Sequence, residues 1–123
     1  MNINLAAFPP DKELFNEEAE RVAKRLAQAA RHLNKSTQIR RFYDELVGWQ
    51  ERIGGDDGKF EQYLAFIRML NAKVAYAKGR DLVDEQFETW FRGCLTTTTS
   101  ARALDNFRLH FEAVIGFLKA LRP

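Results

Sequence analysis

Proline is confined to the ends of this chain, at Pro9, Pro10 and Pro123. No other feature constrains the fold as strongly. A proline inside a helix removes a hydrogen bond and clashes with the preceding turn, and central strands exclude it. Between Asp11 and Arg122 nothing of that kind blocks long helices. Breaks must therefore come from Gly, Asn, Asp and Thr. The apolar residues between them recur at helical spacing, and no stretch reads as a convincing strand. The expected fold is all-α: a compact bundle of about five helices with a long central third helix.

The first helix is expected over about Asp11–Leu33, with Phe15, Ala19, Val22, Leu26 and Leu33 on one face. Its start is acidic and its end basic, as the helix dipole favours. Asn34-Lys35-Ser36 breaks the pattern, and Ser36 is the expected cap of the second helix. That helix carries Ile39, Phe42, Tyr43, Leu46, Trp49 and Ile53 and stops at Gly54-Gly55. The third, over about Lys59–Lys78, has two apolar stripes. Phe60, Tyr63, Leu64, Ile67, Leu70 and Val74 form the main one, and Ala65, Met69, Ala72 and Tyr76 the other. A helix apolar on two sides is central to a bundle or shared with a partner. The second stripe is thus either buried under later helices or a surface for self-association. Gly79 is the expected left-handed stop. The fourth helix, about Asp84–Leu95, carries Phe87, Trp90, Phe91 and Cys94. The fifth, about Ala101–Leu121, starts at a Ser100 cap and carries Leu104, Phe107, Phe111, Val114, Ile115 and Leu118.

With 123 residues, 46% of them apolar and ten of them Phe, there is material for one core and no second domain. Residues 1–10 are expected as an N-terminal tail and 11–123 as a single helical-bundle domain. Cys94 is the only cysteine, so no internal disulfide can form, which suits a reducing compartment. The first ten residues do not read as a signal peptide. No apolar run approaches the roughly 20 residues of a membrane span. The expected location is the cytoplasm.

The net charge is only +2, so any affinity for nucleic acid must come from how charges are arranged. Two windows hold basic residues and no acid: Arg31, Lys35, Arg40 and Arg41, then Arg68, Lys73, Lys78 and Arg80. The first window spans a helix start, where free N–H groups and partial positive charge suit a phosphate. Tyr43 and Tyr76 are candidates for stacking on bases. A plainer reading stands beside this one. Arg40 with Asp44 and Arg41 with Glu45 have the i,i+4 spacing of solvated ion pairs.

Catalytic signatures are missing. His32 and His110 have no ligand partners at metal spacing, Cys94 lies on an apolar face, and Asp56-Asp57 lacks further acids at calcium-loop spacing. A ribonuclease built on His32 or His110 would need a positioned acid–base partner. The expectation is no enzyme, no metal and no cofactor.

Three segments carry a resemblance. They are Lys35-Ser36-Thr37-Gln38-Ile39-Arg40-Arg41-Phe42-Tyr43-Asp44-Glu45, the run from Tyr63 to Arg80 ending Ala75-Tyr76-Ala77-Lys78-Gly79-Arg80, and the tail from Asp105 to Phe117 with its Phe111-Glu112-Ala113-Val114. In that order they resemble the small subunit of the type III-A CRISPR effector (Csm) complex, over about residues 20–120. The resemblance implies a non-catalytic helical subunit that stacks in several copies beside the backbone and large subunits. It also implies contact with guide and target RNA. By the same resemblance the RNA-binding positions are Lys35, Gln38, Arg40, Arg41, Lys73, Lys78 and Arg80. Arg31 and Arg68 are added from charge alone. Ala65, Met69, Ala72 and Tyr76 are candidates for self-association. The alternatives are a helical protein–protein interaction module and the small subunit of the related type III-B effector.

Overall fold

The computed structural model of the chain describes residues 3–123, so Met1 and Asn2 of the expected tail lie outside the described residues. Among the described residues every regular element is a helix: α1 (Glu17–Ala27), α2 (Ser36–Ile53), α3 (Asp57–Arg68), α4 (Leu70–Gly79), α5 (Glu85–Thr97) and α6 (Ala101–Leu121). The long central helix is present as α3 and α4, interrupted only at Met69. Met69 stays in the helical region with a flattened ψ of −18°, and Ile67, Leu70, Val74 and Ala77 keep one buried face at helical spacing across it.

The first helix is shorter than its apolar pattern suggests. Residues 12–16 form turns before α1, and the Leu14 carbonyl is 2.7 Å from the His110 imidazole. A tertiary hydrogen bond there competes with the helical ladder, and local periodicity cannot register it. Ser36 does not cap α2. It is the first helical residue, Lys35 holds the cap position, and no side chain closes that end. Ser100 does cap α6, accepting from the Ala103 N–H at 3.0 Å, and Asp56 and Asp84 cap α3 and α5 in the same way. The left-handed stop after α4 falls on Asp81 (φ 61°) rather than on Gly79. Asp81 N–H donates to Lys78 O and Leu82 N–H to Ala77 O, the paired bonds of a Schellman ending. Asp tolerates this conformation better than most side chains.

The core follows from the apolar faces. Tyr43 meets Glu112 and Gln50 meets Asp105, so α2 runs antiparallel to α6. Leu14 meets His110 while Arg122 reaches Ala30 and Leu33, so α1 runs parallel to α6. Between α2, α5 and α6 lies an aromatic cluster of Phe42, Phe87, Trp90, Phe91, Phe107 and Phe111, in which Trp90 and Phe111 meet edge-on at 5.0 Å. Each such pair adds roughly 0.5–1.5 kcal/mol beyond its buried area. The start of the chain joins this core. Leu5 is fully buried, its carbonyl accepts from Asn106 Nδ2 at 3.1 Å, and Arg102 sits 3.7 Å from the Phe8 ring centre.

Candidate nucleic-acid interface

One residue organises the basic end of the molecule. Asn34 is buried, with a left-handed φ of 55°. Its backbone N–H donates to Leu82 O at 3.0 Å. Its Nδ2 donates to Leu26 O and to Asp84 Oδ1, and its Oδ1 accepts from the Asp84 N–H at 3.1 Å. Nearby, His32 Nε2 lies 3.0 Å from Asp81 Oδ2. These bonds stitch the α1–α2 loop to the α4–α5 loop. The two basic windows, which the sequence keeps some forty residues apart, therefore end side by side.

Beside that seam an open groove of about 1100 Å³ runs between the start of α2 and the end of α6. Arg31, Lys35, Arg40, Lys119 and Arg122 line it, and no Asp or Glu does. Ser36 and Thr37 line it too, at the uncapped helix N-terminus. Its floor is apolar, from Ile39, Ile115 and Leu118. Cations, exposed backbone N–H groups and a helix N-terminus all favour a phosphate. Lys119 and Arg122 are missing from the sequence expectation. They lie more than seventy residues beyond the α2 start, and only the return of α6 brings them there. Arg122 is also structural: its guanidinium donates to the carbonyls of Ala30, Arg31 and Leu33.

The expected contact residues differ in what already holds them. Arg31, Lys35, Arg40 and Arg41 are exposed, and Gln38 is half-buried. The i,i+4 ion pairs that would have neutralised Arg40 and Arg41 do not form among the described residues. Glu45 instead takes Lys73 across to α4, at 2.7 Å. Arg40 lies over the Tyr43 ring at 5.4 Å. In the second window Lys73 is held by Glu45 and Lys78 lies 3.9 Å from Glu88, while Arg80 donates to the Tyr76 hydroxyl at 2.8 Å. Arg68 is exposed, about 80° around the helix from Tyr76 and about 120° from Arg80.

The two stacking candidates separate cleanly. Tyr43 is buried against Phe111, and its hydroxyl donates to Glu112 at 2.7 Å. Burial, then the Glu112 hydrogen bond, raises its pKa. It is unavailable to a base. Tyr76 is 65% exposed. The rest of the second stripe, Ala65, Met69 and Ala72, is exposed as well, so it is not buried under α5 or α6.

Of the groups considered for catalysis, His32 is exposed and meets the Asp81 carboxylate, a partner its sequence neighbourhood does not show, while His110 and Cys94 are enclosed in the core. His110 is fully buried. It accepts from Trp90 Nε1 at 3.1 Å and meets Leu14 O through Nδ1, which fixes a neutral tautomer. Burial lowers its pKa, against a smaller opposing effect of the Leu14 hydrogen bond. Burial, aided by the charge of Glu18, drives the Cys94 thiol far above its ordinary range, so it carries no thiolate at neutral pH. Among the described residues no three His, Cys, Asp or Glu are grouped to hold a metal, and no helix is long and apolar enough to cross a membrane.

A family model described as Csm2 Type III-A matches residues 10–123. No curated protein and no solved structure matches the chain.

Proposed function

The chain belongs to the Csm2 family, the small subunit of the type III-A Csm effector complex, and from that premise we propose that it serves as a non-catalytic scaffold holding the guide–target RNA duplex by its backbone. Several copies stack beside the backbone and large subunits in the cytoplasm, each offering a basic end to the RNA. The observation that carries this reading is the acid-free groove at the α2 start, where five Lys and Arg converge on an uncapped helix N-terminus. Such a surface follows phosphates and leaves sequence to guide–target pairing. Its affinity should fall steeply with salt as counterions are released. Lys35 and Arg40 act in the groove together with Arg31, Lys119 and Arg122, and Gln38 and Arg41 flank it on α2. Lys73, Lys78 and Arg80 extend the basic surface across the Asn34 seam.

Gentle purification of the tagged protein from its native host tests the assignment. Discrete guide-length RNAs should come down with the backbone and large effector subunits. Recovery of the protein alone, or with unrelated partners, would count against it.

A further inference from the structure

We propose that the outer face of α3 and α4 is a stacking platform for unpaired bases of single-stranded RNA, with Phe66 and Tyr76 as its rings. This rests on the RNA-contacting reading above and adds a ligand class to it, because a duplex hides its base faces and a single strand does not. Phe66 and Met69 are each 56% exposed, and Tyr76 65%. At about 100° per residue, Phe66, Met69, Lys73, Tyr76 and Arg80 fall within an arc of about 80°. The face therefore alternates apolar and cationic groups and carries no acid of its own, and the carboxylate paired with it is Glu45 of α2, on Lys73.

Both rings are held in place by neighbours that leave them open. Phe66 ends a ladder: Trp49 stacks on it at 6.0 Å with planes 17° apart, Tyr63 packs on Trp49 at 5.5 Å, and Arg52 lies 5.6 Å from both the Trp49 and Tyr63 ring centres. Tyr76 is fixed by Arg80, whose guanidinium lies 5.7 Å from the ring centre and donates to its hydroxyl. A pre-set ring loses little freedom when a base stacks on it, and the adjacent Arg80 suits a phosphate between bases, with a smaller share from Lys73, which Glu45 holds. The two rings are ten residues apart, about 15 Å along the helices, so they take different bases of one strand.

A second copy of the chain fits this face less well. At about 200 Å² per side chain, the exposed parts of Phe66, Met69 and Tyr76 amount to roughly 350 Å². A stable protein interface takes about 800 Å² from each partner, so a second copy would have to draw more than half of it from the polar and charged residues around these three. A two-fold contact centred on this face would also set Lys73 against its own copy, and like charges across an interface are repelled.

The test uses the full chain, a short single-stranded RNA without self-pairing, and an RNA duplex of the same length. Tyr76→Leu should weaken single-strand binding about five- to tenfold, the low end of what one stacked base contributes. It should leave duplex binding unchanged, and Tyr76→Phe should restore single-strand binding. Phe66→Leu should act in the same direction. Arg40→Gln with Arg41→Gln should lower duplex binding, so failure of the groove assignment and failure of the platform read out separately. The platform is overturned if the wild type binds no single strand, if Tyr76→Leu leaves that binding intact, or if it lowers both ligands equally. It is also overturned if light scattering gives a dimer that Tyr76→Leu dissolves with RNA binding unaltered, since self-association would then be what the face is for.

Discussion

The two basic windows look alike in sequence, four Lys or Arg in each and no acid, yet the fold treats them differently. Around the α2 start, Arg31, Lys35, Arg40 and Arg41 reach solvent with no carboxylate partner among the described residues, and three of them line the groove. Along α4, Lys73 and Lys78 are each within reach of a glutamate from a neighbouring helix. An exposed pair of this kind adds only about 0.2–1 kcal/mol to stability, but it lowers the charge that a phosphate meets. Counting cations along the chain therefore overstates the second window. What separates the two is the course of α2 and α5, which carries Glu45 and Glu88 to α4 and brings no acid to the groove.

Asn34 joins the start of the first window to the end of the second, and Asn34→Ala is the change that should damage that arrangement most. It removes three side-chain hydrogen bonds and leaves the Asp84 N–H and the Leu26 carbonyl without that partner. A loss of about 2–3 kcal/mol is expected. It should appear in urea as a lower midpoint at unchanged slope.

Acid should weaken both windows together, because both stand on the core that holds His110. Its depressed pKa means that the unfolded chain binds a proton the folded one refuses. The resulting stability is present in full above the ordinary imidazole value, about 6.5. It is lost as pH falls from there through the folded value, with a slope of at most about 1.4 kcal/mol per pH unit for one group. His110→Gln should flatten this part of the pH–stability curve. An undiminished slope in that variant would remove His110 from the account.

The smallest effect has the most informative sign. Glu45→Gln frees Lys73 without touching any cation, so RNA affinity should rise by about two- to threefold at low salt, in line with an exposed pair. A fall would mean that the ion pair positions Lys73 rather than masking it.

Much of this fold is legible in the residues. The ranges of α2, α5 and α6 follow from large apolar side chains at helical spacing and from Gly54 and Ser100 at their ends. What local pattern misses is set by contacts distant in sequence. The chain before α1 turns where the Leu14 carbonyl meets His110, and α4 ends on Asp81, whose carboxylate meets His32. The site divides in the same way. Arg31, Lys35 and Arg40 stand out as an acid-free run, whereas Lys119 and Arg122 sit at an ordinary basic helix end until α6 returns to the groove. Exposure of the Met69–Tyr76 stripe was undecidable from periodicity, because an apolar face looks the same whether or not another helix covers it.

Uncompensated cations at the α2 start should dominate contact with RNA. The most direct measurement is a salt titration of duplex RNA binding for the wild type, for Arg40→Gln with Arg41→Gln, and for Lys73→Gln with Lys78→Gln. The first pair should lose about tenfold in affinity and flatten the log–log salt slope by about 0.9 for each phosphate contact removed, while the second should lose several-fold less. Equal losses, or a larger loss from the α4 pair, would contradict it.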